Sequence, residues 1–203
     1  MTVSIPVTLK TQLVAAGEDP VLKDLLEKIQ SEDPAIRTQA IVDAPQVGPS
    51  AVVPAGELMT HENIEVGRAA KRAVWNIVRH SGVPGSGNTA PAVAAELLAL
   101  LSKLSATEPK REVLWMISEV GGEEAVDPVA AYLANTDLRE DARMCLERIP
   151  GEVSLAALQT AFDKSPEDFK SNLAQSLRAR GVAVEQPPCA KLVPTKQTQV
   201  KPL

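Results

Sequence analysis

Two stretches decide the fold: Lys110–Leu133, KREVLWMISEVGGEEAVDPVAAYL, and Arg139–Phe162, REDARMCLERIPGEVSLAALQTAF. Set one beneath the other with an offset of 29, Val113, Ile117, Val120, Gly122, Val126, Val129 and Leu133 fall on Ala142, Leu146, Ile149, Gly151, Leu155, Leu158 and Phe162. A helix, a tight Gly turn and a second helix recurring at this interval is the pattern of a solenoid.

Outward from that pair the same unit returns. Leu22, Leu25, Leu26 and Ile29 stand at i, i+3, i+4, i+7 and place one apolar stripe on a first helix. Asp33-Pro34 reads as a cap followed by proline at the first helical position, where a missing N–H costs nothing. Ile36, Ala40, Ile41 and Ala44 are then expected on the inner face of that helix. Val53-Pro54, Ala90-Pro91 and Asp127-Pro128 mark starts of second helices, because proline in a helix interior would cost about 3 kcal/mol. The expected pairs are 34–44 with 50–59, 62–80 with 91–103, 109–120 with 123–134, and 137–149 with 152–163, followed by a last helix over 166–180. The second pair carries an inserted loop, Ser81–Ala90. Isolated helices this short are marginal in water, so stacking pair on pair supplies the core.

This gives an all-α fold, a right-handed α-solenoid of about four to five stacked antiparallel helix pairs. Residues 1–18 form a lead-in or N-terminal cap, 19–182 the repeat domain, and 183–203, with four prolines in EQPPCAKLVPTKQTQVKPL, a disordered tail. Lys170, Asn172, Gln175 and Arg178 are expected on the outer side of the last helix, as a polar cap.

Composition narrows the function. The 203 residues carry a formal charge of −5 and only 2% aromatic residues, so the core is built from Ala, Val, Leu and Ile. In residues 183–203 three lysines stand against Glu185, a net of +2, leaving −7 for residues 1–182. So acidic a body repels a phosphate backbone over most of its surface and argues against nucleic acid as a partner. The N-terminus, MTVSIPVTLKTQLV, lacks the basic-then-apolar order of a secretory signal, and no apolar run reaches membrane-spanning length. A cytoplasmic protein is the expectation. Cys145 falls on an apolar helix face and Cys189 in the tail, which suggests no disulfide framework.

The run Asp33-Pro34, Arg37, Ala40, then Ala51-Val52-Val53-Pro54 resembles the HEAT repeat, in the short bacterial form found in phycobilisome-lyase-like proteins. It returns more loosely as Ala125-Val126-Asp127-Pro128, and as Asp141-Ala142 with Arg148-Ile149-Pro150-Gly151. The resemblance covers about residues 20–182 and implies a protein-binding scaffold. It also implies an alternative, a bilin lyase or chromophore-handling chaperone.

His61-Glu62 is a single His-Glu pair, and His80 is the only other histidine. A HEAT-like di-iron hydroxylase needs several such pairs, so His61 and Glu62 are read as the start of a helix, with Glu62 answering its positive end. Trp75 and Trp115 each adjoin buried-type aliphatics and are expected in the core or at repeat interfaces. Arg68, Lys71, Arg72 and Arg79 make a basic helical stretch, read as a solvated face or, in a DNA-binding HEAT-like protein, a phosphate-gripping one. The glycines of Ser81–Ala90 follow a helix rather than a strand, which is the wrong context for a phosphate loop. No catalytic residue, metal ligand or cofactor is assigned. The expected function is a non-catalytic protein-binding scaffold, and the binding candidates are Arg68, Arg72 and His80.

Overall fold

A computed structural model describes residues 19–85 and 88–185. The expected N-terminal cap, and the tail beyond Glu185 with Cys189, lie outside them. The chain divides into two compact units between Glu96 and Leu97. Among the described residues all regular structure is helical, so the fold class is all-α.

The first unit holds α1 (Pro20–Ile29), α2 (Pro34–Val47), α3 (Val52–Glu57) and α4 (Ile64–Ser81), with short 3₁₀ turns on either side of α3. Its helix starts are made by side-chain caps. Asp19, Asp33 and Asn63 each accept from the backbone N–H two residues on, at 2.8–2.9 Å, and proline follows the first two. Leu22, Leu25 and Ile29 of α1 are buried, as their spacing predicts. α2 packs along α4, where Ala40 and Ala44 meet a helix whose own buried face includes Ala69, Ala70 and Ala73. Small side chains on both let the axes approach closely.

Two expectations fail on α2. Ile36 is 42% exposed, because the buried stripe of this helix is narrow and reduces to Ala40 and Ala44. The helix also runs on through Pro45 to Val47 instead of stopping at residue 44. Pro45 has no N–H for the carbonyl of Ile41, and Asn76 of α4 supplies the missing donor, its Nδ2 lying 2.9 Å from Ile41 O.

α5 (Ala90–Lys103) crosses the division between the units. The second unit continues with α6 (Thr107–Val120), α7 (Val126–Ala130) between two 3₁₀ turns, α8 (Arg139–Arg148), α9 (Glu152–Lys164) and α10 (Glu167–Ala179). α6 packs on α8 and α8 on α10, so first helices of successive repeats are neighbours, while α9 lies against both α8 and α10. The 29-residue offset reappears as contacts: Arg148 pairs with Glu119 at 2.7 Å, Arg139 with Asp168 at 2.7 Å, and Ser176 Oγ donates to Glu147 at 2.6 Å. Positions that match in sequence stand side by side, which is what one repeat laid on the next requires. Val113, Ile117, Ala142, Leu146, Val129 and Leu158 are buried, as aligned.

The Gly turn takes two forms. Gly122 and Gly151 both cap the N-terminus of the segment that follows, yet Gly122 has φ −108° and Gly151 has φ +100°. Only the second needs glycine for its backbone conformation.

Gln175 of α10 is exposed, as expected of an outer cap, but other polar residues of that helix pack inward. Asn172 bonds to Glu140, Ser176 is fully buried, and Arg178 donates to Val184 O at 3.1 Å. Arg143 of α8 reaches Glu140, Glu147 and Ser176 at 2.6–3.0 Å. This polar seam joins α8 to α10 because each carboxylate meets a donor from the neighbouring repeat, so burial leaves it satisfied.

Candidate functional site

α4 gathers the cations of the first unit. Arg68, Arg72, Trp75 and Arg79 stand at i, i+4, i+7 and i+11, a spacing that holds them within about 60° of arc on a helix. The buried residues Val66, Ala70, Ala73 and Ile77 occupy the opposite side. Arg68, Arg72 and Arg79 are exposed and Trp75 is half-buried. The Arg79 guanidinium sits 5.2 Å from the centre of the Trp75 ring, within cation–π range.

Where α4 runs beside α2, the two helices leave a groove of about 550 Å³. Arg68, Lys71 and Arg72 line it from α4, and Arg37 from α2. Against these four cations it has one carboxylate, Glu65, and its floor includes Ile41 and Ala69. The cations are held differently. Arg37 Nη1 donates to the carbonyls of Ser31 and Glu32 at 2.7 and 2.9 Å, which stiffens its side chain and closes the turn after α1. Arg68 pairs with Glu65 at 2.8 Å within its own helix. Arg72 makes no hydrogen bond or ion pair among the described residues.

His80 is not part of this groove. It lies twelve residues on from Arg68, about 18 Å along the helix, and lines a separate cavity of about 250 Å³ with Pro45, Pro49, Ile77 and Val93. Arg68 and Arg72 are therefore brought together, and His80 is not brought to them. Two members of the site went unassigned in the sequence, Arg37 and Lys71. Lys71 adjoins the chosen arginines, and Arg37 stands 31 residues before Arg68, close to one repeat interval; those were the available signals.

The remaining candidates resolve into structure. His61 Nδ1 accepts from Asn63 N–H at 3.0 Å, and Asn63 caps α4, so His61-Glu62 shapes a helix start. Trp115 is not in the core: it is 39% exposed, and its Nε1 donates to Asp141 of α8 at 3.0 Å. Val113, Leu114, Met116 and Ile117 take the buried side of α6 and leave Trp115 facing out, where it fastens one repeat to the next. Arg111 completes that fastening through Asp141 at 3.4 Å and Asp137 O at 2.9 Å. Among the described residues no group of three or more His, Cys, Asp and Glu side chains is placed to hold a metal ion, and no helix is long and apolar enough to cross a membrane.

No protein-family profile matches the chain, and no curated protein does. Among solved structures it is similar to a designed armadillo repeat protein in complex with the peptide (KR)4, with 19% identity over 76% of this chain and 80% of that one, at a TM-score of 0.45.

Proposed function

We propose that this protein is a non-catalytic, cytoplasmic binding scaffold of the HEAT-like class that recognises a protein partner in the groove between α2 and α4. The observation that carries the reading is the convergence of Arg37, Arg68, Lys71 and Arg72, from two helices, on one preformed cleft in a chain of net charge −5. Helices packed through buried alanines present that cleft without having to order it on binding, which limits the entropic cost of association.

The test is a photo-crosslinking amino acid placed at Thr38, an exposed residue lining the groove, in the native cell. A protein adduct that disappears when Arg72→Glu is added supports the scaffold reading, and adducts indifferent to that change remove the groove from consideration. Nucleic acid is the rival, since the same cations suit phosphate. Retention on a nucleic-acid column at low salt, lost as salt rises, would favour it.

A further inference from the structure

Resting on that scaffold reading, we propose that the groove takes an extended, acidic segment of the partner, with carboxylates on alternating residues. Three observations lead there. The first is charge: Arg37, Arg68, Lys71 and Arg72 line the groove with one carboxylate, Glu65, and Arg72 has no counter-ion among the described residues. Arg72 forms new ion pairs without first breaking old ones, and Arg68 gives up only an exposed intrahelical pair.

The second is spacing. Arg68 and Arg72 are four residues apart, a rise of about 6 Å along α4. In an extended chain, side chains on one face recur every two residues, at about 6.6 Å. Acidic residues at positions n and n+2 of an extended segment therefore reach both guanidiniums, each of which can take a carboxylate as a two-pronged fork. From Arg68 to Arg79 the stripe is about 16 Å long, room for about five extended residues. Trp75, with Arg79 over its ring, follows Arg72 on that line.

The third observation chooses between polyanions. A short acidic peptide confines its charge to the groove. A nucleic acid continues past it, across a body whose residues 1–182 carry −7 in sum, and meets repulsion there.

Fluorescence anisotropy of the full chain with labelled octapeptides is the test. The probes are (Glu-Ala)4, (Gln-Ala)4, and a clustered isomer with four consecutive glutamates, beside a dT oligonucleotide of matched charge. The proposal expects (Glu-Ala)4 to bind at least tenfold tighter than (Gln-Ala)4 and severalfold tighter than the clustered isomer and the oligonucleotide. Arg72→Glu should weaken it at least tenfold. Lys164→Glu, the same charge change on α9 in the other unit, should leave it within twofold. Equal binding of the Glu and Gln peptides, equal effects of the two charge reversals, preference for the oligonucleotide or the clustered isomer, or no binding at 1 mM peptide would each overturn the proposal. The crosslink at Thr38 separates this from failure of the scaffold reading. Mapping a captured protein to a segment without acidic residues sinks the acidic-segment proposal and leaves a scaffold. No protein adduct at all sinks the scaffold.

Discussion

Asn76 of α4 donates its side-chain N–H to the carbonyl of Ile41, across the packed interface with α2. That carbonyl needs an outside donor because residue 45, which would supply the helical one, is proline. Replacing Asn76 by Ala leaves the carbonyl unsatisfied and should cost about 1–3 kcal/mol. Pro45→Ala restores the helical N–H, so Asn76→Ala in that background should cost at least about 1 kcal/mol less. Urea unfolding of the four chains of this double-mutant cycle measures the coupling. Strict additivity would show that Asn76 is not compensating for Pro45.

Arg180 holds the turn between α8 and α9 from the following repeat. Its Nη1 faces the carbonyls of Leu146, Glu147 and Ile149 and the hydroxyl of Ser154 at 2.8–3.3 Å, and its Nη2 meets Gly151 O at 2.8 Å. Leu146 and Glu147 lie in the last turn of α8, whose carbonyls lack helical partners and carry the negative pole of the helix. Arg180→Ala should lower stability by about 2–3 kcal/mol, given the strength of hydrogen bonds to charged donors. Arg180→Lys should recover less than half, since one ammonium cannot serve both prongs of the fork. Thermal unfolding of the three proteins decides it, and full recovery by Lys would mean that charge alone matters.

Cys145 is buried at the centre of α8, and burial pushes its thiol from an ordinary value of 9.0 up to about 12, with Arg148 acting weakly the other way. The native state therefore keeps its proton at pH values where the unfolded chain has lost it. Between pH 9 and 12 the native state binds the extra proton, so stability falls as pH rises, at up to about 1.4 kcal/mol per pH unit from this group. Below pH 8 the group contributes no slope. Comparing stability against pH for the wild-type chain and Cys145→Ala isolates the effect, because the other titrating groups are shared. Parallel curves above pH 9 would refute it. In a Cys189→Ser background, a thiol reagent at pH 8 should also label Cys145 only as fast as the chain unfolds.

Architecture was legible where periodicity and caps agree. The aligned apolar rows at Val113, Ile117 and Val129, the Asp33-Pro34 start and the proline-marked second helices each encode a local rule, so each could be read without knowing its neighbours. What escaped needed a partner from another repeat. Pro45 reads as a helix stop until Asn76, 31 residues away, is seen to supply its missing donor. Asn172 reads as surface until Glu140 is set opposite it. Trp115 reads as core or repeat interface, and only Asp141 of the next repeat decides for the interface. Arg68 and Arg72 were visible as a charged stripe, but the groove they line depends on Arg37 arriving from α2.

Gly121 and Gly151, each in a repeat turn, should fail for different reasons. Gly151 sits at φ +100°, ψ 168°, a region reserved almost wholly for glycine, yet nothing lies within 4 Å of where a Cβ would stand. Gly151→Ala should therefore cost about 1–3 kcal/mol as backbone strain, with no displacement of neighbouring side chains. Gly121 has an ordinary φ of −72°, but a Cβ there would lie 2.7 Å from Ile117 O and 2.9 Å from Ile117 Cγ2. Gly121→Ala must therefore shift the end of α6 or its link to α7, and Ile117 is a fully buried core residue. Its cost should exceed that of Gly151→Ala, and amide chemical shifts should move along both α6 and α7. For Gly151→Ala the changes should stay within the turn. If the two variants proved equal in stability and in the reach of their shift changes, strain and collision would not be the separate causes assigned to them.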